Sequence, residues 1–324
     1  MIASLIQLRI FRNWNMWIDT FLLFVFFLFI APLIIPRFLL IDILSWSIVV
    51  YGFSLLYGFL GYLSFGHLAY FAVGAYTFAC TVRFLHIDPL LGIIIALLAG
   101  VATGALFGLV TVRKGGAYFA LTNLSVSVVV YYIVLYFLKD YTGGFEGKFI
   151  DLRHGIIDLS SRETAFLAVL ILFTLVFLFY KILSKSTFVL LLQAIKENED
   201  RVKFLGYNTF LIKYIAFIVS TMFSALGGAA LVLSHSYVSA TTYTPAFNGE
   251  IVIMSMLGGA SSIYGPIIGT AMYLGLKYVI GSYIIRWELV IGTILLVSMI
   301  LAKGLGICGI FEKLLKTKIK LFGE

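Results

Sequence analysis

The 324-residue chain is 62% hydrophobic and 12% charged, with a mean hydropathy of +1.08. Soluble domains carry about 25% charged and 45–50% apolar residues, so this composition excludes a water-soluble core and makes lipid the solvent. The net charge of +8 is spread over loops and the tail, the pattern of a membrane protein's inner loops and not of a nucleic-acid surface.

The opening stretch, "MIASLIQLRIFRNWNMW", lacks the basic, apolar and small-residue order of a cleavable signal and reads as an interfacial lead-in with Trp14 and Trp17. Apolar runs long enough to cross about 30 Å of hydrocarbon then follow. They cover Trp17–Pro36, Leu39–Leu60, Tyr62–Val82, Pro89–Val112 and Ala117–Leu138. The fourth carries Gly92, Gly100, Gly104 and Gly108, and this small-residue spacing predicts a helix packed inside the bundle. A polar loop over 139–163 precedes a sixth span, Thr164–Lys181, and a seventh runs over Leu211–Leu233. Residues 249–285 are apolar but broken by Gly258-Gly259 and Gly265-Pro266, as two short spans or a span with a re-entrant element. A last span is expected at Leu289–Ala302, before a basic tail.

With ten spans and both termini inside, fifteen Lys and Arg fall on the inner side and seven on the outer. The asymmetry supports that orientation. The fold class is an all-α polytopic membrane protein, a single transmembrane domain of about 8–10 helices with glycine-broken or re-entrant segments. Cys80 and Cys308 are far apart and carry no metal-site spacing.

Five stretches stand out. In "LGYLSFGHLAYFAVGAY" (60–76), Gly61, Gly66 and Gly74 break or thin the helix while Ser64 and His67 place polar groups at membrane depth. His67 either faces a translocation path or bonds a backbone carbonyl freed by Gly66 and locks packing. "LLQAIKENEDRVKFLGYNTF" (191–210) is the densest charge in the chain. It predicts an amphipathic helix over 187–205 with Leu191, Ile195, Val202 and Leu205 on one side and Gly206 at its C′ end, on the inner face where it can dock on a partner or stand as a solvated loop. "LGGASSIYGPIIG" (257–269) is incompatible with unbroken helix, because Pro266 removes a donor and clashes with the turn before it. "VRKGGAYFAL" (112–121) predicts a tight turn with positive φ at Gly115 and Gly116, and "YTGGFEGK" (141–148) a structured outer loop. No GxxxxGK[ST] motif, metal cluster or nucleophile elbow occurs, so neither ATP hydrolysis nor other enzyme chemistry is expected in this chain, nor any cofactor or metal.

These segments together resemble the permease subunits of branched-chain amino acid ABC importers. The resemblance rests on Gly58, Gly61, Ser64, Gly66, His67, Ala69, Phe71, Gly74, Ala75 and Tyr76; on Arg113, Gly116 and the run Tyr118–Leu121; on "TGGFEG"; on Ala194, Ile195, Glu197, Asn198, Glu199, Leu205, Gly206 and Asn208; and on "LGGASSIYGPIIG". Five motifs in order cover about residues 50–275 and are most similar to the longer of the two paired permeases. Gln193 and Lys196 stand where the family often has arginines, and Phe188-Val189 replaces a usual small residue and glycine.

The resemblance implies a prokaryotic plasma-membrane complex with a second permease subunit, ATP-binding subunits and an extracellular or periplasmic solute-binding protein. It assigns Ser64, Gly66, His67, Tyr76, Gly258, Gly259, Gly265 and Pro266 to the path or its helix breaks. It assigns Ala194, Lys196, Glu197, Asn198, Glu199 and Gly206 to ATPase coupling, with Glu197 and Glu199 presenting charge to the ATPase. Relatives of the family also move urea, amides or other amino acids. The competing class is an ion-coupled secondary transporter, which needs paired intramembrane carboxylates; Asp19, Asp42 and Glu250 all lie near span ends. A channel would need a filter signature, which is absent.

Overall fold

The computed structural model describes residues 17–283 apart from 154, 156 and 157, together with 289–290, 292–294 and 306–307. The expected lead-in before Trp17, most of the last span, the basic tail and Cys308 lie outside the described residues. Among the described residues, seven helices are long and apolar enough to cross a membrane: α1 (Trp17–Ile34), α2 (Arg37–Leu60), α3 (His67–Leu85), α4 (Pro89–Thr111), α5 (Ala117–Phe137), α6 (Arg162–Ser184) and α8 (Thr209–His235). Between α6 and α8 lies the charged α7 (Thr187–Phe204), and after α8 come α9 (Asn248–Gly258) and α10 (Gly265–Gly281).

The helix starts follow from local chemistry. Asp88, Ser161, Ser186 and Asn208 each accept a backbone N–H of the following turn, at 2.8–3.4 Å, and so cap α4, α6, α7 and α8. Such caps satisfy donors that a helix leaves unpaired at its first turn.

Burial divides the helices into a centre and a shell. α2 is buried on nearly every face and α8 on most of its surface, and α3 packs against both. A helix apolar all round belongs in the middle of a bundle, and α2 has that character, with Ser45, Ser47, Gly52 and Ser54 as its small positions. α1 and α4 are peripheral. The expectation that glycine spacing puts α4 inside the bundle is therefore corrected: the glycines form one stripe. Gly100 and Gly104 lie against Ala225 and Thr221 of α8, Gly92 against Phe78 of α3, and the opposite side, with Leu98 and Leu106, is exposed. Small residues bring backbones together along one line; they do not require a helix to be surrounded.

At the end of the bundle where α2 and α3–α5 meet the loops, a two-stranded antiparallel clasp forms. β1 (Lys148–Phe149) pairs with β2 (Tyr237–Val238), with Lys148 opposite Val238. The "TGGFEG" loop is gripped from the same side: Tyr237 Oη donates to the Glu146 carbonyl (2.5 Å) and Ser239 Oγ to the Phe145 carbonyl (3.1 Å). It is a built structure, as its glycines and threonine led us to expect.

The broken 249–285 region resolves into two helices folded back on one another, not one kinked helix. Pro266 occupies the first turn of α10, where its missing N–H has no partner to lose, so it starts a helix instead of bending one. The two helices approach so closely that a Cβ on Gly258 would lie 1.8 Å from the Gly265 carbonyl oxygen, and one on Gly269 1.9 Å from that of Met254.

The three carboxylates near span ends are each engaged by a basic side chain of another helix. Lys181 reaches Asp19 (3.1 Å), His235 reaches Asp42 (2.7 Å) and Lys277 reaches Glu250 (3.2 Å). None pairs with another carboxylate among the described residues.

Gly269→Val separates α9 from α10 because the partner atom is backbone. Overpacking of this kind costs about 1–3 kcal/mol or more. We expect a lower melting temperature for the detergent-purified variant, whereas Gly275→Ala, where a Cβ meets nothing within 4 Å, melts like the wild type. Equal melting of all three proteins would refute the close packing.

Candidate functional site

The stretch 60–76 breaks where its glycines and serine lie. α2 ends in a widened turn over Leu55–Leu60, and Gly61 takes a left-handed φ of 78°. Residues 61–66 are non-helical, and Ser64 Oγ accepts the Gly66 N–H at 3.3 Å, closing the break with a local turn. α3 starts again at His67. In lipid, irregular backbone survives only where the protein itself meets its polar groups.

His67 does so across three helices. Its Nε2 lies 2.7 Å from Ser220 Oγ of α8, and Ser220 donates to the Gly52 carbonyl of α2, also at 2.7 Å. Since the hydroxyl hydrogen goes to the carbonyl, the imidazole carries its proton on Nε2 and donates to Ser220. Nδ1 is then a bare acceptor, buried and without a partner among the described residues. Ser220 lies eleven residues into α8, about 16 Å from its start at 1.5 Å per residue, so the chain of bonds runs at mid-depth. Of the two readings of His67, the locking one is nearer, but the group it meets is a serine hydroxyl on an α2 carbonyl and not a carbonyl freed by Gly66.

Asn248, at the start of α9, completes this knot, and sequence reasoning passed over it. Its Oδ1 accepts the Leu68 N–H (3.0 Å), an unpaired donor of the first turn of α3, while Nδ2 donates to Ser127 Oγ of α5 and to the Pro245 carbonyl, both at 2.9 Å. The only signal was an asparagine opening an apolar run in "FNGEIVIM". Gly66 meets α5 directly: a Cβ there would be 2.5 Å from the Asn123 carbonyl oxygen. Tyr76 lies two turns along α3, buried, its ring 5.5 Å from Tyr243.

The second break, Gly258–Gly265, lies beside the first. A Cβ on Gly58 would be 2.3 Å from the Ala260 carbonyl oxygen, and Ser261 Oγ donates to the Gly58 carbonyl at 3.4 Å. Gly258, Gly259, Gly265 and Pro266 thus form one turn against the end of α2. Ser64, Gly66 and His67 lie just beyond it in the chain, whereas Tyr76 stands apart, towards the clasp.

α7 is fastened to the first break and to the end of α2 against which the second break packs. Lys196 Nζ donates to the same Gly58 carbonyl at 2.9 Å, and its stem lies against Gly61. Lysines near a helix C-terminus meet the unpaired carbonyls and the negative end of the dipole. Glu199 turns back to the bundle: its Oε1 accepts from Lys213 Nζ (2.8 Å) and Thr209 Oγ1 (2.9 Å) of α8. Lys213, almost fully buried, also reaches Tyr62 Oη in the first break at 3.4 Å. Glu199 is therefore a tether, while Glu197 is exposed and directed away.

α7 is two helical pieces. Asn198 is extended (φ −160°, ψ 101°) and its Oδ1 accepts the Arg201 N–H at 3.0 Å, capping the second piece. The buried face is Val189, Leu192, Ile195 and Val202; Ala194 is half-buried, and Leu205, expected on that face, is exposed because the chain turns there. The turn is the expected one. Gly206 has φ 85°, its N–H meets the Lys203 carbonyl and the Tyr207 N–H meets that of Val202, a Schellman end. In "VRKGGAYFAL", Gly116 has positive φ (64°) but Gly115 does not; its small size instead admits Tyr62, whose Oη would lie 2.5 Å from a Cβ.

Burial alone raises the Glu199 carboxyl, but the hydrogen bonds from Lys213 and Thr209 outweigh it and hold it below the usual carboxylate value. A depressed folded-state value means that the tether stabilises above the free-glutamate range, near about 4.3, and fades as pH falls through the lower folded value. We expect the wild-type melting temperature to drop more steeply than that of Glu199→Gln on acidification below about pH 4.5; parallel curves would rule the tether out. Ser220→Ala strands the His67 N–H and the Gly52 carbonyl, each a buried group costing about 1–3 kcal/mol when unpaired. Its loss of thermal stability should be largely non-additive with that of His67→Phe in a double-mutant cycle, and full additivity would break the proposed chain of bonds.

Over residues 35–301 the chain matches the family described as "Branched-chain amino acid transport system / permease component". It is similar to the high-affinity branched-chain amino acid transport system permease protein LivM of Escherichia coli (strain K12), 23% identical over 77% of this chain and 64% of that protein. The corresponding protein of Salmonella typhimurium is 25% identical over the same shares, and the probable LivM of Methanocaldococcus jannaschii 26% over 60% and 56%. The chain thus spans a little under two thirds of the length of these relatives. No solved structure matches it. The family and the seven apolar helices make it a multi-pass cell-membrane protein. Both helix breaks and the charged α7 fall within the matched residues, and the chain belongs to the family of branched-chain amino acid transport permeases.

Proposed function

We propose that this chain is the membrane-spanning, non-enzymatic subunit of an ATP-driven importer of branched-chain amino acids. It works with a second permease subunit, separate ATP-binding subunits and an extracellular or periplasmic solute-binding protein. One observation carries this reading: α7, among the described residues the one long charged helix outside the spans, is fastened by Lys196 to the Gly58 carbonyl, against which the second break packs, and by the Glu199–Lys213 pair to Tyr62 in the first. A push on α7 reaches the Gly58 carbonyl, the Gly258–Gly265 turn beside it and the 61–66 segment without crossing flexible chain. Phe204 is 91% exposed and Leu205 76%, beside Glu197, Asp200 and Arg201. This apolar tip with a charged rim suits a groove on an ATP-binding subunit, with Glu197 as the outward charge and Lys196, Asn198 and Glu199 as inward fastenings. The solute class follows the family and the names of the similar proteins.

The ion-coupled alternative has weaker support. Asp19, Asp42 and Glu250 are each held by a basic side chain, and no acidic pair stands at mid-depth among the described residues.

Gly206→Pro forces φ to about −65° and deletes a bonded N–H, which destroys the end of α7. We expect it and Glu197→Lys to abolish ATP-dependent leucine uptake in cells while the protein still inserts in the membrane. Lys196→Met should lower uptake at least about tenfold with the ATP-binding subunits still bound, since an interaction of 1.4 kcal/mol corresponds to a factor of ten. Uptake at wild-type rates in all three, or uptake that continues without any ATP-binding subunit, would overturn the assignment.

A further inference from the structure

At the end of the bundle remote from α7, a cavity of about 450 Å³ opens between the start of α2, the end of α8 and the β1–β2 clasp. Nothing in the coupling apparatus uses it. Its walls are aromatic: Trp46, Phe149, Tyr237 and Tyr243. Its one acid is Asp42. The Asp42 side chain is 25% exposed, and its Oδ1 is held by His235 Nε2 at 2.7 Å, while Oδ2 has no protein partner among the described residues.

The floor is built and continuous. Trp46 stacks on Phe71 with ring centroids 4.9 Å apart, Phe71 meets Tyr243 at 5.7 Å, and Tyr243 meets Tyr76 at 5.5 Å. Phe71 is one helical turn along α3 from His67, so the rings lead from the cavity towards the mid-depth knot. Tyr76, isolated from the two breaks, finds its place here.

This combination selects by chemistry. A carboxylate oriented on one oxygen and open on the other accepts a cation, and it repels an anion. Aromatic faces attract ammonium groups and also cover apolar surface. Two candidate ligands, Asp42 and His235, fall short of a metal site, and the described residues hold no group of three metal-binding side chains. The volume lies in the range of small-molecule sites, about 300–1,000 Å³. We propose that this cavity is a receiving site for an apolar α-amino acid, which binds through its ammonium to Asp42 with its side chain against the Trp46 and Tyr243 rings. The solute's carboxylate faces the open mouth and water. This inference rests on the import reading and adds to it a place where the permease itself holds solute.

The test is binding of radiolabelled L-leucine to the purified full chain in lipid nanodiscs. We expect saturable binding, displaced by isopentylamine, which keeps the ammonium and the branched chain, and not by 4-methylpentanoate, which lacks the ammonium. Asp42→Asn should weaken leucine binding at least tenfold. Thr242→Trp, which fills the cavity from its lining and leaves the Asp42–His235 pair intact, should do the same, and it decides the matter if Asp42→Asn fails to fold. Absence of saturable leucine binding, wild-type affinity in the folded variants, or displacement by 4-methylpentanoate as effective as by leucine would each overturn the proposal. ATP-dependent uptake in cells separates the two readings. Normal uptake by the folded cavity variants sinks the receiving site and leaves the importer standing. Binding as expected, with uptake indifferent to ATP-binding subunits, leaves the site and sinks the importer.

Discussion

A polar backbone group in hydrocarbon has no water to turn to, and in this protein that constraint determines what stands beside what. α2 widens over its last turn and the chain is non-helical over 61–66 before α3 begins, and such departures leave carbonyls and N–H groups to be met. The structure answers them with side chains from distant parts of the chain: Ser220 for the Gly52 carbonyl, Asn248 for the Leu68 N–H, Lys196 and Ser261 for the Gly58 carbonyl. Each is thereby a joint between helices. A bundle held only by apolar contact in lipid would lack such fixed points, because lipid tails compete with leucine for leucine.

The same joints define what can move. Packing between α9 and α10 is backbone against backbone and has no slack, and along the α4 stripe the glycines lie tight against side chains of α3 and α8. The hydrogen-bonded joints have alternatives: a lysine stem can swing, and a histidine with a bare Nδ1 can take a new partner. In a permease of this family, movement is thus directed to the loci where charged or polar side chains span a gap, and α7 touches two of them. The first helix, clipped to α6 by Asp19 and Lys181, is outside that circuit.

Much of this was legible in the sequence for identifiable reasons. The Gly206 ending and the seven long apolar runs depend on local chemistry, and the structure has both close to the expected positions. The glycine-broken and charged motifs were recognisable as a set, but their places within the fold were not. Glu199 read as an outward charge because its partner Lys213 is fourteen residues away, on another helix. The α4 glycines read as a sign of burial because spacing gives the existence of a close contact and not how many sides are covered. Pro266 read as a breaker, although the same ring serves as a first-turn residue once Gly265 has begun a new helix. Asn248 went unnoticed because nothing local distinguishes a cross-chain cap from an ordinary polar residue.

The central position of α2 has a consequence in time. The Gly52 carbonyl and the serine that satisfies it are 168 residues apart in sequence. At synthesis rates of about 5–20 residues per second, α2 leaves the ribosome about 10–30 s before α8 exists. During that interval a helix whose final surroundings are almost entirely protein must reside in lipid or in the insertion machinery, with its small polar positions uncovered. Membrane insertion and native packing are therefore separate events for α2, and the bundle closes from its last-made central helix outward.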